Sequence, residues 1–375
     1  MNKAESILKP ILEDVNEPGK AVVRELVRTG KKAVGCMLEF CPEELIYAAG
    51  MLPVGLWGGD VELYHAKRYF PAFFCAPVQQ SLELALRGAY DGVLSAVVVP
   101  ILCDTLKSAG QNWRIAVPHI PMIPIVYPQN RGIDAGRVFL RSELADVQKK
   151  LEQVCGHAIG REALEQAIEL YNDYRLAMQE FSAEAACHAD LVTPTVRHSV
   201  LRCGFLRDKK DYLDTVRALT AELKELPAVE GKRRVAVTGI ALDIPEILAA
   251  MDKNGLTVTE DTLAQEYGQV ATLVPREGDA LERLAGWWSR VRCSSLAIDE
   301  KKERADYMVS LVAQGQADGV VVAVPSFCDP EEYDYPILRA AFERAGVPHV
   351  YLEVNDRSGT EQAQSRLQAF AELFS

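Results

Sequence analysis

One short pattern occurs twice in this chain and narrows the folds open to it. Asp91-Gly92-Val93 leads into Ala96-Val97-Val98-Val99-Pro100-Ile101-Leu102-Cys103-Asp104. Asp318-Gly319-Val320 leads into Val321-Val322-Ala323-Val324-Pro325-Ser326-Phe327-Cys328-Asp329. A continuous apolar, β-branched run reads as a strand buried on both faces, the kind found in parallel sheets covered by helices. Both runs end in Pro-x-x-Cys-Asp, which sets a cysteine at the carboxyl end of a strand. Open α/β sheets bind their ligands there. Two such cysteines, one from each half of the chain, point to a metal cluster in the cleft between the halves.

The rest of the chain is consistent with two such halves. Residues up to 29 show helical spacing in Ile7, Ile11, Val15, Val22, Val23 and Leu26. Ala33-Val34-Gly35-Cys36-Met37-Leu38 reads as a strand, and a helix starts at Pro42-Glu43-Glu44 and stops at Gly50. Leu52 to Trp57 is a second strand, residues 78–88 a helix, and Met122 to Tyr127 a further strand. Between 137 and 226 long amphipathic patterns dominate. Alternation resumes at Arg234-Val235-Ala236-Val237-Thr238-Gly239, with a helix from Pro245 that Asp243 is placed to cap. A last strand at 348–354 and a helix at 362–374 follow. The predicted fold class is α/β: two Rossmann-like parallel-sheet units with a largely helical intervening region. The predicted division is 1–136, 137–229 and 230–375.

Charge excludes two functions. Lys and Arg number 41 against 53 Asp and Glu, a formal net charge of −12. Nonspecific nucleic-acid or anionic-membrane binding needs a basic surface, so no nucleic-acid and no membrane partner is expected. No apolar run reaches the ~20 residues of a spanning helix. The first helix carries acids where a signal peptide would have an apolar core, so a cytoplasmic protein is expected.

The nine cysteines, at 36, 41, 75, 103, 155, 187, 203, 293 and 328, are odd in number and widely spaced. That is not a disulfide framework. Cys75, Cys103 and Cys328 share one local grammar: an apolar or aromatic stretch ends at the cysteine and a helix begins just after it. Helix-start N–H groups favour the thiolate, the metal-binding form. The absence of CxxC pairs weighs against zinc and for an iron–sulfur cluster ligated from dispersed loops. Three ligands leave one iron open. Spacing alone leaves a second reading open, in which all three are buried apolar residues. Cys41 has similar grammar and is a candidate fourth ligand or a helix-cap residue. Cys36 reads as core, and Cys155, Cys187, Cys203 and Cys293 read as core or partly exposed thiols.

Glu43 and Glu44 are candidate acid–base groups, or acids that only complement a helix dipole. His65, His119 and His349 are isolated, and Trp287-Trp288 reads as core or interface. The sequence has no GxGxxG and no GxxxxGK[ST].

Several of these segments together resemble the 2-hydroxyacyl-CoA dehydratase D-component family. They are Gly35-Cys36, Pro42 through Pro53, Trp57-Gly58, Cys75 with Gln79 to Glu83, Cys103 to Leu106 with Gln111-Asn112, and Phe327 to Glu332 with Tyr335-Pro336. The chain is most similar to the smaller, β-type subunit. The resemblance implies Rossmann-like domains and a [4Fe–4S] cluster on Cys75, Cys103 and Cys328, with Cys41 outside that set. It implies pairing with a homologous α-type subunit that binds most of the acyl-CoA, and one-electron activation by an ATP-hydrolysing iron–sulfur protein. The reaction implied is elimination of water from a 2-hydroxyacyl-CoA through a ketyl radical anion, with the β-type cluster relaying the electron. Related branches, benzoyl-CoA reductase subunits and double-cubane cluster proteins, supply the alternative of a reductase or electron-transfer protein on the same scaffold.

Overall fold

Short apolar strands alternating with amphipathic helices build two parallel sheets. The structure is a computed structural model and describes residues 2–229, 231, 233–292, 294–354 and 360–374. The first half contains α1 (Lys3–Asn16), α2 (Pro18–Thr29), β1 (Ala33–Met37), α3 (Glu43–Ala48), β2 (Leu52–Leu56), α4 (Ala76–Leu86), β3 (Leu94–Ile101), α5 (Asp104–Ala116) and β4 (Met122–Val126). Four helices follow: α6 (Asp134–Cys155), α7 (Arg161–Ala185), α8 (Pro194–Cys203) and α9 (Lys209–Lys224). The second half contains β5 (Arg233–Gly239), α10 (Pro245–Lys253), β6 (Leu256–Asp261), α11 (Ala280–Arg290), α12 (Glu303–Gln314), β7 (Gly319–Pro325), α13 (Asp329–Ala345), β8 (His349–Val354) and α14 (Thr360–Glu372).

The sheets have the same topology. The first runs β2-β1-β3-β4 and the second β6-β5-β7-β8, with every pairing parallel. Order reverses between β1 and β3 and between β5 and β7. Consecutive connections leave opposite ways there, and a crevice opens at the carboxyl ends. The repeated pattern forms the inner strands β3 and β7. Val97, Val98 and Val99, like Val320, Val321 and Val322, have no exposed surface. Each such side chain contributes roughly 1.5–3 kcal/mol on burial.

Local chemistry sets the element ends. Asn2 and Glu5 form a reciprocal capping box at the start of α1. The N-terminal helical stretch is two helices, because Pro18 has no N–H to continue the first and opens the second. Ala4, Leu8 and Ile11 of α1 pack into the core of α7, α8 and α9. Asp243 does not cap α10, whose cap position is Ile244. It pairs with His198 and Arg202 instead. No helix among the described residues is long and apolar enough to cross a membrane.

Candidate metal centre

Cys103 and Cys328 stand immediately after β3 and β7 and occupy the N-cap positions of α5 and α13. Cys75 is the N-cap of α4. It follows a loop from Trp57 rather than a strand, so the strand-end context belongs to two of the three and the helix-start context to all three. That loop is tied down by side chains the sequence resemblance rests on. The Glu83 carboxylate accepts the N–H groups of Tyr64 at 3.0 Å and Ala66 at 2.8 Å. Asn112 donates its amide to the Tyr69 carbonyl at 2.7 Å, and Gln79 to that of Phe74 at 2.6 Å. Phe327, at φ 63°, takes the left-handed turn that delivers Cys328.

All three thiols are free and line one cavity of about 760 Å³ at the carboxyl ends of the two sheets. Cys75 comes up to about 12, mainly through burial and then through the charge of Cys103. Burial brings Cys103 up to about 11 and holds Cys328 well above the ordinary thiol range, with Glu331 adding to it. The first-turn amides of Val78, Leu106 and Glu331 pull the other way and are outweighed. Three thiolates here therefore need a positive charge beside them. Among the described residues, no three His, Cys, Asp or Glu side chains gather closely enough to hold one metal ion.

Glu39, which the sequence reading passed over, does not line the cavity but lies near enough for its charge to act on Cys75 and Cys103. It lies in the turn after β1, beside the end of β3, between Leu38 at φ 56° and Phe40 at φ 60°. The ring of Phe40 packs edge-on against Trp287 and Trp288 at 5.8 and 5.3 Å, and its carbonyl accepts the Tyr127 hydroxyl. Glu39 is 2% exposed, and its Oε2 has no hydrogen-bond partner among the described residues. Burial brings its carboxyl up to about 7, with its own backbone N–H opposing and Glu331 adding to the rise. Its charge bears in turn on Cys75 and Cys103. The available signal was position: the turn after the strand next to the repeated one.

Cys41, Glu43 and Glu44 belong to a different place. They line a small cavity of about 40 Å³ walled by α3, α7 and α11. The Cys41 S–H points at the Val98 carbonyl, 3.6 Å away. The Arg175 guanidinium holds Glu44 at 2.6 Å. Glu43 accepts from the Tyr171 hydroxyl and from Lys209, both at 3.0 Å. Neither carboxylate lines the thiol cavity. His119 pairs with Asp91 on the surface, His65 stacks edge-on with Tyr64, and His349 packs on Phe342. Cys36 and Cys203 are buried, Cys155 and Cys187 are half-buried, and none of the four lines the cavity. Cys293 lies outside the described residues.

The model of the 2-hydroxyglutaryl-CoA dehydratase D-component family matches residues 39–374. The chain belongs to this family. It is 40% identical over 375 residues to the (R)-phenyllactyl-CoA dehydratase beta subunit of Clostridium sporogenes, covering 99% of this chain and 100% of the relative. It is 39% identical to the lactoyl-CoA dehydratase subunit beta of Anaerotignum propionicum, covering 100% of each. With the (R)-2-hydroxyglutaryl-CoA dehydratase subunit beta of Acidaminococcus fermentans it shares 38% identity, over 96% of this chain and 97% of the relative. The resemblance seen in the sequence thus holds over nearly the whole family member.

Proposed function

We propose that the chain is the β-type subunit of a cytoplasmic (R)-2-hydroxyacyl-CoA dehydratase, with a [4Fe–4S] cluster held by Cys75, Cys103 and Cys328. One observation carries this reading: three free N-cap thiols, from three separate segments, line a single cavity. The donor set suits the group. Buried thiolates are costly by themselves, and a bound cationic centre deprotonates a thiol outright. Thiolate is the ligand iron–sulfur clusters select. When bound, the cluster supplies a one-electron couple, which lets a thioester be reduced to a ketyl and lose its 2-hydroxy group.

The chain's own residues set the conditions for that couple. Three helix N-termini point their first-turn amides toward the sulfurs and stabilise their negative charge. Glu83, Gln79 and Asn112 fix the loop that carries Cys75. Exposed Phe327 and Tyr333, at 54% and 79%, line the thiol cavity and offer apolar surface to a covering partner, and Phe73, at 59%, lies two residues before Cys75. That partner is a homologous α-type subunit, which binds most of the acyl-CoA. An ATP-dependent iron–sulfur activator delivers the electron, and this subunit relays it. Nearly equal identity to relatives named for three different acyl groups supports a β-type chain that does not choose the acyl group.

Anaerobic co-purification with the partner, iron and sulfide analysis, and a dehydration assay test the proposal together. Turnover is expected only with both subunits, activator and ATP. Full-rate dehydration by this chain without the partner would overturn it. Substrate is expected to perturb the partner's cluster signal and leave this chain's signal unchanged.

A further inference from the structure

We propose that Asp104 and Asp329, which directly follow two of the three cysteines, hold the reduction potential of this centre low, so that an electron it accepts is passed on to the partner subunit. The inference rests on the cluster reading above and deepens it, giving a task to residues that reading does not use. Its first support is placement. The repeated pattern ends in Cys-Asp rather than in Cys alone, and both copies keep the acid. Asp104 is the first residue of α5 and Asp329 the first of α13, each one peptide bond from a cysteine. Consecutive Cα atoms are about 3.8 Å apart. Both aspartates line the thiol cavity. A charge acts through space on a group bound there and needs no hydrogen bond to do so.

Charge balance is the second support. Two lysines and five carboxylates line the cavity. Lys302 is matched to Asp334, 3.7 Å away, and Arg304 holds the same carboxylate at 3.0 Å. Asp299 is taken up at the start of α12, where it accepts the Arg304 N–H at 2.9 Å. Asp104 and Asp329 are exposed and make no ion pair among the described residues, not even with Lys107 one turn along α5. The lining is therefore negative on balance. Net charge around an iron–sulfur cluster is one of the settings of its potential, and negative surroundings oppose an added electron.

Helix initiation does not account for the pair, and this is the third support. Acids in a first turn complement the helix dipole. Yet α4 starts after Cys75 with Ala76-Pro77 and has no acid in its first turn. α13 starts after Cys328 with Asp329-Pro330 and carries Glu331 and Glu332 in the same turn. A helix thus follows a cysteine here without the acid, and α13 has its dipole complement without Asp329. The amides and the aspartates act in opposite directions. First-turn N–H groups favour thiolate, and by the same sign they favour an added electron. The aspartates oppose that second effect. Ligand binding and electron affinity are then set by different groups, which suits a relay, since an electron held too firmly is not handed on.

The test is a redox titration. The anaerobic complex is prepared with its partner's cluster cysteines replaced, so that only this chain's signal remains. The signal is followed by electron paramagnetic resonance as the potential is lowered stepwise. Asp104→Asn and Asp329→Asn keep the shape of each side chain, and at exposed positions they leave the packing alone. Both are expected to retain iron and sulfide and to raise the midpoint potential, with a larger rise in the double variant. A tenfold gain there in the ratio of reduced to oxidised cluster, at one fixed potential, is a shift of about 59 mV for one electron. Asp104→Glu and Asp329→Glu, which restore the charge, should titrate like the wild type. In the complex with both clusters, the asparagine variants should be reduced more readily and yet turn over more slowly, whereas a structural fault would lower both. An unchanged midpoint in the double variant, with its cluster intact, overturns the proposal. So does loss of the cluster from the asparagine variants, which would make these residues a requirement of assembly. Absence of any cluster in the wild-type complex would instead sink the reading on which this proposal rests.

Discussion

Glu39 and Glu44 are five residues apart, both almost fully buried, and treated in opposite ways. Glu44 has Arg175 at 2.6 Å, and its neighbour Glu43 has Lys209 at 3.0 Å. Glu39 has no such cation among the described residues, and its charge acts on the Cys75 and Cys103 thiols. Tyr127 lines both cavities and marks the border between them. On the helical side the chain provides a positive charge for each carboxylate. On the thiol side Arg304 matches Glu331, but Glu39 makes no ion pair among the described residues and burial raises all three thiols, although a buried charge is retained only when something pairs with it. The helical side is finished as protein. On the proposed reading, the thiol side is finished by a bound metal group.

The largest effect follows from that contrast. Replacing Cys75, Cys103 or Cys328 by Ser is expected to abolish or severely deplete bound iron and sulfide in anaerobic preparations. Cys155→Ser and Cys187→Ser should leave both unchanged. Full retention of iron by any one of the first three variants would remove that residue from the ligand set and weaken the distinction between the two regions.

The sequence made the thiol side easier to see than the helical side. A repeated apolar run ending in Pro-x-x-Cys-Asp is local, and both copies became inner strands followed at once by a helix. The edge strand β6 escaped because four of the six residues of Leu-Thr-Val-Thr-Glu-Asp are polar. Glu39 was invisible for a different reason: its significance depends on the strand order, which sets β1 beside β3. Glu43 and Glu44 were legible as first-turn acids, but their partners lie on α7 and at the start of α9, more than a hundred residues away. The His198–Glu266–Asp243 cluster escaped likewise, since its members meet only when α8 packs against the second half.

Arg175→Met tests the helical side. It leaves the Glu44 carboxylate buried and unpaired while keeping the bulk of the side chain. Removing one partner of a buried pair costs about 3–5 kcal/mol. Denaturant unfolding of the iron-free protein is expected to show a loss of that order. A loss below about 1 kcal/mol, the size of an exposed pair, would mean that water reaches Glu44 and that this side is not closed.

The two regions also separate by pH. Glu39 has its carboxyl raised from 4.5 to about 7 in the folded, iron-free chain. The native state then holds the extra proton, so stability falls as pH rises across that window. His198 behaves alike at higher pH. Burial would depress it, but Asp243 and Glu266 outweigh burial and raise it from 6.5 to about 9. Its contribution is complete below 6.5 and is lost as pH rises through 9. At about 1.4 kcal/mol per pKa unit, each window spans of the order of 3–4 kcal/mol. Glu39→Gln should flatten only the lower window and His198→Gln only the upper. Persistence of the lower window in Glu39→Gln would assign it to another group.

Glu43→Gln has the smallest expected effect and tests the border itself. The substitution keeps the shape of the side chain and removes its charge. Lys209 would still donate to the Gly204 carbonyl at 2.9 Å and still lie 4.4 Å from the centre of the Tyr174 ring. The Tyr171 hydroxyl would keep an amide oxygen as acceptor. With these contacts in place the loss is about 1–2 kcal/mol, the scale of a charged hydrogen bond weakened to a neutral one. Iron content and the spectrum of the reduced cluster should not change, because Glu43 lines only the small cavity. Should Glu43→Gln instead alter the cluster spectrum while the fold survives, the two cavities act as one site and the contrast between them fails. Should it stop turnover with both fold and spectrum intact, Glu43 recovers the acid–base role that its position in the sequence first suggested.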